Sequence, residues 1–237
     1  MLFFYVRHGD PIYTPDSLTP LGKRQAEAVA KRLAMYGVDR IYASTSTRAI
    51  MTAQPTCELL GKDMTLLDFC NESRAWEELT IDGEHQKTWL FSDAPTKLLF
   101  TEDSVRRLGF NWYEHPAFEK YNYKKGMERV YNELDKYMLE LGYEHERYTG
   151  RYKVIKPEYE RVALFAHQGF GALFMSCLMD IPYPEYCIHF DMCHTGMTAI
   201  EFKEEKGYAI PKVLTLSSDA HLYKEGLHTG YNRAWKF

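Results

Sequence analysis

The chain has 237 residues, enough for one large α/β domain, or a core domain with an insertion, and for a sizeable buried core. Its formal net charge of -4 gives no reason to expect nucleic acid or an anionic membrane as partner, so any basic site must be local. No run approaches bilayer-spanning length, the amino terminus lacks a signal-peptide pattern, and Cys57, Cys70, Cys177, Cys187 and Cys193 read as scattered reduced core thiols; a cytoplasmic protein is expected.

The opening run Phe3-Phe4-Tyr5-Val6 leads without interruption into Arg7-His8-Gly9. Aromatic and β-branched residues in such a run predict a buried strand, and in α/β sheets ligands sit beyond the carboxyl ends of parallel strands. A strand ending on Arg7-His8 therefore delivers a cation and an imidazole into the crevice, and Gly9 lets the backbone turn tightly there. Residues 10–17 read as a polar loop. Thr19 as N-cap, Pro20 at the first helical position, Leu21, Val29 and Leu33 on one stripe and Gly37 past the end predict the first helix. Residues 38–43 read as a second strand.

The polar cluster Ser44-Thr45-Ser46-Thr47-Arg48-Ala49 opens the next helix, which runs to Leu60, stops at Gly61 and is expected to kink at Pro55. Any of the hydroxyls can cap it, which puts Arg48 in the first turn. An arginine is unfavourable at the positive end of a helix dipole, yet together with the free backbone N–H groups it makes an anion site. Residues 64–69 read as the third strand. Cys70-Asn71-Glu72-Ser73-Arg74-Ala75-Trp76-Glu77-Glu78 follows, with three carboxylates as candidates for proton transfer.

From about residue 79 to 156 the regular pattern lapses into an aromatic-rich stretch. Within it Met127, Val130, Leu134, Met138 and Leu141 mark one helix, stopped by Gly142. The stretch reads as an insertion on a single domain spanning 1–237, serving as a cap or lid over the site. Residues 151–155 read as a strand turning through Lys156-Pro157-Glu158. Val162-Ala163-Leu164-Phe165-Ala166 repeats the logic of the opening: an apolar strand ending on His167-Gln168-Gly169, then a helix from about Phe170 to Met179. If both strands belong to one parallel sheet, the two imidazoles lie side by side. Residues 197–203 and 208–216 are expected to pair as a hairpin, and the tail carries Trp235. The expected architecture is a three-layer α/β fold, a mostly parallel sheet with helices on both faces and a mixed helix-and-loop insertion.

Four stretches, Arg7-His8-Gly9, Leu18-Thr19-Pro20-Leu21-Gly22-Lys23-Arg24-Gln25-Ala26, Ser46-Thr47-Arg48-Ala49-Ile50-Met51-Thr52-Ala53 and Phe165-Ala166-His167-Gln168-Gly169, together resemble the histidine phosphatase superfamily and its phosphoglycerate-mutase-like fold. Their order and their strand or helix context match, over roughly residues 1–80 and 160–218. The resemblance implies that His8 is the nucleophile that becomes phosphorylated and that Arg7 and Arg48 grip the phosphoryl oxygens. His167, with Gln168 beside it, completes the phosphate pocket. The family also places a glutamate acid after the third strand. Glu72 holds that place, with Glu77 and Glu78 as rivals, because Arg74-Ala75-Trp76-Glu77-Glu78 replaces the usual Gly-x-Trp-Glu-Gly-like run. Asp10-Pro11-Ile12-Tyr13 stands where the family has Thr and Asn.

Elementary chemistry supports this assignment. A neutral imidazole can carry a phosphoryl group and so split one transfer into two, while planar guanidinium groups meet the charge on the equatorial oxygens. No cofactor and no metal is expected, since two arginines and a protonated histidine supply the positive field. The expected activity is hydrolysis of a small-molecule phosphomonoester. One alternative is a phosphoglycerate-mutase-type transfer, disfavoured because the insertion is aromatic rather than basic; another is a non-catalytic phospho-ligand-binding protein, disfavoured because every catalytic residue type is in place. A metallohydrolase on His189, Asp191, Cys193 and His194 has ligand-type residues but no recognisable metal spacing. His85, His115, His145, His221 and His228 are expected in loops or at the surface.

Overall fold

The computed structural model describes residues 1–156 and 160–233; Pro157, Glu158 and Trp235 lie outside the described residues. Six strands form the central sheet: β1 (Leu2–Arg7), β2 (Arg40–Ser44), β3 (Met64–Leu67), β4 (Arg161–Ala166), β5 (Met197–Glu201) and β6 (Lys212–Ser218). Their spatial order is β6-β5-β1-β4-β2-β3, with β1, β4, β2 and β3 parallel and the β5 and β6 pairings antiparallel. Phe3 and Tyr5 of β1 point into one apolar cluster and Phe4 and Val6 into the other, the period of two that a pleated strand imposes. Both faces are covered, which explains an unbroken apolar sequence where a half-exposed strand would alternate.

Helices α1 (Pro20–Tyr36) and α2 (Thr47–Leu60) supply Val29, Leu33, Ala53 and Cys57 to one face. On the other lie α3 (Glu72–Glu78), α4 (Tyr123–Glu140) and α5 (Gln168–Met179). The first helix has the predicted ends: the Thr19 hydroxyl accepts from the Gly22 N–H at 3.0 Å, and Gly37 closes it in the left-handed region at φ 72°. The expected kink does not break α2, which continues through Pro55. Proline removes only its own N–H there, and buried Ala53, Thr56 and Cys57 hold the flanking turns.

The aromatic stretch builds core as well as surface. Phe100, Trp112, Phe118 and Tyr123 are buried, with Trp112 edge-on to Phe100 and Phe118 at 5.6 and 5.4 Å, and their cluster is continuous with Phe3, Tyr5 and Leu164 of the sheet. The α4 stripe Met127, Val130, Leu134 and Met138 is buried as its spacing predicts. The expected hairpin of 197–203 with 208–216 is borne out between Met197–Glu201 and Lys212–Ser218, while the segment that joins them leaves the central sheet. β5 pairs with β6, whereas Glu204–Glu205 turns back on Tyr208–Ala209, which pairs with Arg151–Val154. Lys206 and Gly207 both have positive φ at this tight turn, 54° and 83°, the geometry of a two-residue hairpin and one that draws the chain away from β5. Among the described residues no helix is long and apolar enough to cross a membrane, and all five cysteines are free and buried.

Two histidines expected near the surface are interior. His221 is buried with Nε2 at 3.0 Å from the Thr195 hydroxyl. His145 is fully enclosed against the Tyr152 ring, with Nδ1 at 2.8 Å from Asp135 Oδ1 and Nε2 at 3.1 Å from Asp180 Oδ2. Carboxylates only accept, so both ring nitrogens donate and the ring is an imidazolium. Burial opposes that charge, but the two carboxylates outweigh it and raise the pKa. Arg147 also faces Asp135, and the Tyr131 hydroxyl and the Thr149 and Gly150 amides face Asp180. A raised folded pKa means that the stabilisation is complete below the unfolded value of about 6.5 and is lost as pH climbs through the folded value. Denaturant unfolding should therefore show His145→Ala costing about 3 kcal/mol at pH 6 and clearly less at pH 9. An equal loss at both pH values would refute the clamp.

Candidate active site

The parallel register sets Arg7 opposite Ala166 and Phe165 opposite Ala43, so Arg7-His8, His167 and Ser44 leave the sheet at one edge. The His8 amide donates to the Ala166 carbonyl at 2.9 Å, and the His8 and His167 ring centroids are 5.2 Å apart. His8 Nδ1 lies 2.7 Å from the Gly9 carbonyl, which can only accept. The hydrogen is therefore on Nδ1 and Nε2 keeps its lone pair. Burial, with His167 and Arg7 adding to it, pushes the His8 pKa well below its ordinary value, so the ring is neutral at physiological pH.

The Leu18–Ala26 stretch earns its place through packing. A Cβ at Gly9 would come within 2.6 Å of the Gly22 carbonyl oxygen, so the exit of β1 lies directly against the first turn of α1. Asp10 joins the same contact, its amide donating to Gln25 Oε1 at 2.8 Å and its carboxylate accepting from the Thr19 hydroxyl at 2.6 Å. From α2, Thr52 accepts from the Gly9 N–H at 3.0 Å and donates to the Arg48 carbonyl at 2.7 Å, tying Arg48's helix to the loop after His8.

Arg48 reaches two carboxylates, with Nη1 at 2.7 Å from Asp16 and Nη2 at 3.3 Å from Glu72. Glu72 is further held by the Gly169 N–H at the start of α5, 2.7 Å away, and lies 3.4 Å from His167 Nδ1. His167 Nε2 is 2.8 Å from the Ser44 hydroxyl. Burial carries the His167 pKa down to about 4 despite Glu72, so the protonated histidine expected from the sequence is neutral here. Arg7 is fully buried, donating to the Met192 carbonyl and to Asn232 Oδ1 at 2.5 Å. A cavity of about 630 Å³ lies on the Arg48 and Glu72 side of these groups, lined among others by Tyr13, Asp16, Ser46, Arg48, Glu72 and Trp89, while Arg7, His8 and His167 do not line it.

The structure thus brings together Arg7, His8, Arg48, Glu72 and His167. Gln168 lines the same cavity with its Nε2 donating to Asp191 at 2.5 Å. The rivals of Glu72 are elsewhere: Glu77 is exposed, and Glu78 is bidentate on Arg129 at 2.6 and 2.7 Å. The His189–His194 segment does not form a ligand cluster. His189 is exposed at a helix end, while His194 turns inward, 6.1 Å from the His8 ring, with Nε2 at 3.0 Å from Asn232. Among the described residues, the group able to hold a metal ion is His8, Glu72 and His167, whose donor atoms lie within 4.8 Å of one another. Asp16 and Asn232 were not singled out from the sequence, and Ser44, Thr52 and His194 entered it only as a candidate helix cap, a motif member and a candidate metal ligand. Ser44 was findable as the polar end of a neighbouring strand; Asn232 arrives from the far end of the chain with no local signal.

Residues 4–106 match the model of the histidine phosphatase superfamily (branch 1). That match covers the stretch holding Arg7, His8, Arg48 and Glu72 and three of the four motifs, in keeping with the resemblance they carry. Among solved structures it is similar to a mycobacterial glucosyl-3-phosphoglycerate phosphatase in complex with VO3, at 19% identity and TM-score 0.59, covering 92% of this chain and 98% of that chain. It is also similar to a phosphoserine phosphatase mutant from Entamoeba histolytica in complex with phosphoserine (16%, TM-score 0.57, 93% and 98% covered) and to "Mycobacterial hydrolase 1" (19%, TM-score 0.60, 92% and 98% covered). At these identities the likeness establishes the fold. A comparison with curated proteins found no match. The match of residues 4–106 to the superfamily model supports a hydrolase.

Proposed function

We propose that the protein is a metal-independent phosphomonoesterase of a small phosphorylated metabolite, working through a phosphohistidine on His8. The observation that carries this is the orientation of His8, a buried neutral imidazole with Nδ1 pinned to Gly9 and Nε2 free, beside His167 and within the field of the Arg7 and Arg48 charges. In the first step Nε2 attacks phosphorus and the ester P–O bond breaks. Glu72 gives its proton to the leaving alkoxide. In the second, Glu72 takes a proton from water, whose oxygen attacks phosphorus; the P–N bond breaks and phosphate leaves. Arg7, Arg48, His167 and Gln168 hold the phosphoryl oxygens. A phosphate arriving on Arg48 competes with Glu72 for the guanidinium and frees the carboxylate for proton transfer.

The 79–156 stretch serves as a cap on a single domain, contributing Trp89 to the cavity wall. Five unpaired buried cysteines support a cytoplasmic setting. The test is rapid quench during turnover of an aryl phosphate, which should leave the mass of one phosphoryl group on the peptide containing His8, with turnover unaffected by EDTA. Label on another residue, or loss with EDTA that zinc restores, would overturn the reading and favour a metal on His8, Glu72 and His167.

A further inference from the structure

The three groups at the centre of the site share a geometry that hydrolysis through a phosphohistidine does not use. His167 Nδ1 is buried and makes no hydrogen bond among the described residues, although Glu72 Oε2 is only 3.4 Å away. With Nε2 donating to the Ser44 hydroxyl at 2.8 Å, Nδ1 keeps its lone pair. A buried lone pair set against a carboxylate oxygen is unfavourable until a positive centre lies between them. The separation suits such a centre: two ligands at about 2.0–2.1 Å from a tetrahedral zinc ion stand about 3.3–3.4 Å apart.

His8 is the third member, with Nε2 as the nitrogen it has to offer because Nδ1 is on the Gly9 carbonyl. Donor atoms of the three residues lie within 4.8 Å of one another, so no pair has to close by more than about 1.5 Å to reach tetrahedral spacing. Each residue is also oriented by a second bond, as the ligands of metal ions are. His8 Nδ1 is 2.7 Å from the Gly9 carbonyl, His167 Nε2 is on Ser44, and Glu72 Oε1 accepts from the Gly169 N–H at 2.7 Å. The neighbouring cations are engaged: Arg48 has Asp16 at 2.7 Å as well as Glu72, and Arg7 is turned onto the Met192 carbonyl and Asn232.

We propose that His8 Nε2, His167 Nδ1 and Glu72 form an inhibitory zinc site, with its fourth position open to water. Two imidazoles and a carboxylate select zinc over magnesium, which takes oxygen ligands. The ion plays no part in turnover. It occupies the Nε2 lone pair that attacks phosphorus and the carboxylate that moves the proton, so occupancy and hydrolysis exclude each other. The inhibition rests on the phosphatase reading, whereas the binding site does not.

Isothermal titration calorimetry of the chelator-treated protein with zinc chloride reads binding without reference to activity. One zinc per chain is expected, and none with magnesium chloride. Ser44→Ala, which removes the partner of His167 Nε2, should weaken zinc by about tenfold or more, and His167→Ala further still, with thermal unfolding as the check on folding. In the wild-type protein, long-range proton–nitrogen NMR should show the His8 and His167 ring signals shifting together as zinc is added. Aryl phosphate hydrolysis should fall in proportion to the zinc-bound fraction and return with EDTA. Ring signals unmoved by zinc, or zinc binding unchanged in a folded His167→Ala variant, would mean an adventitious ion only and overturn the site. Hydrolysis undiminished or enhanced at saturating zinc would overturn the inhibition. An aryl phosphate hydrolysed by a protein that binds no zinc removes the site and leaves the phosphatase reading standing. Zinc bound at both rings of a protein that, freed of metal, hydrolyses nothing keeps the site and removes that reading.

Discussion

Replacing His8 by alanine is expected to abolish hydrolysis of a generic aryl phosphate, with a loss on the order of 10⁶-fold in kcat, the scale seen when a covalent nucleophile is removed from a unit that acts together. No neighbour can substitute. His167 has its Nε2 on Ser44 and its Nδ1 toward Glu72, and His194 is engaged by Asn232. The variant should remain folded, because the strand is held by its ladder to β4 and β5 and by the flanking apolar residues, none of which depends on the ring. Circular dichroism and thermal unfolding check that. The wild-type pH profile carries the same signature. Burial, aided by His167 and Arg7, lowers the His8 pKa, so the nucleophile stays unprotonated as pH falls through the ordinary histidine range near about 6.5. The acid limb of kcat/KM should accordingly lie below that range. Turnover retained by His8→Ala at wild-type levels would sink the mechanism.

Glu72→Gln should lower kcat by about 10²- to 10⁴-fold, the usual contribution of a positioned acid or base. The loss should be steepest for alkyl esters, whose leaving alkoxides need a proton, and mildest for aryl esters with acidic leaving groups. Glutamine retains an oxygen for the Gly169 N–H but has no proton to give and no charge to pair with Arg48. The controls separate chemistry from folding. Glu77→Gln, at an exposed position, should leave turnover within about twofold of wild type, in keeping with the small effects of surface changes. Glu78→Gln breaks the bidentate pair with Arg129 and should show mainly as a lowered Tm. If Glu77→Gln slows turnover more than Glu72→Gln, the proton donor has been misassigned.

Local patterns announced most of the framework because the physics that forms it is local. An apolar run ending on Arg7-His8, the Thr19-Pro20 start and Gly37 stop of α1, and the 3.6-residue stripe of α4 all report burial or capping within one turn or one pleat. The same holds for the choice among His8, Arg48 and His167, each of which sits at the end of an element that the sequence already delimits. Where expectation failed, the deciding contact was remote. Within the expected hairpin of 197–203 with 208–216, Tyr208–Ala209 pairs with Arg151–Val154 instead, and His145 becomes interior because Asp135 and Asp180 converge on it from other elements.

By itself, then, the sequence determined the layered α/β class and the strand ends that present Arg7-His8 and His167, since composition, periodicity and capping act over a few residues. Only the tertiary structure decided which carboxylate meets Arg48 and His167, that the His167 ring is neutral and that Asn232 closes over Arg7. Each of these depends on which groups from distant segments share a volume that water has left, and desolvation and pairing across such gaps leave no imprint on the neighbouring residues.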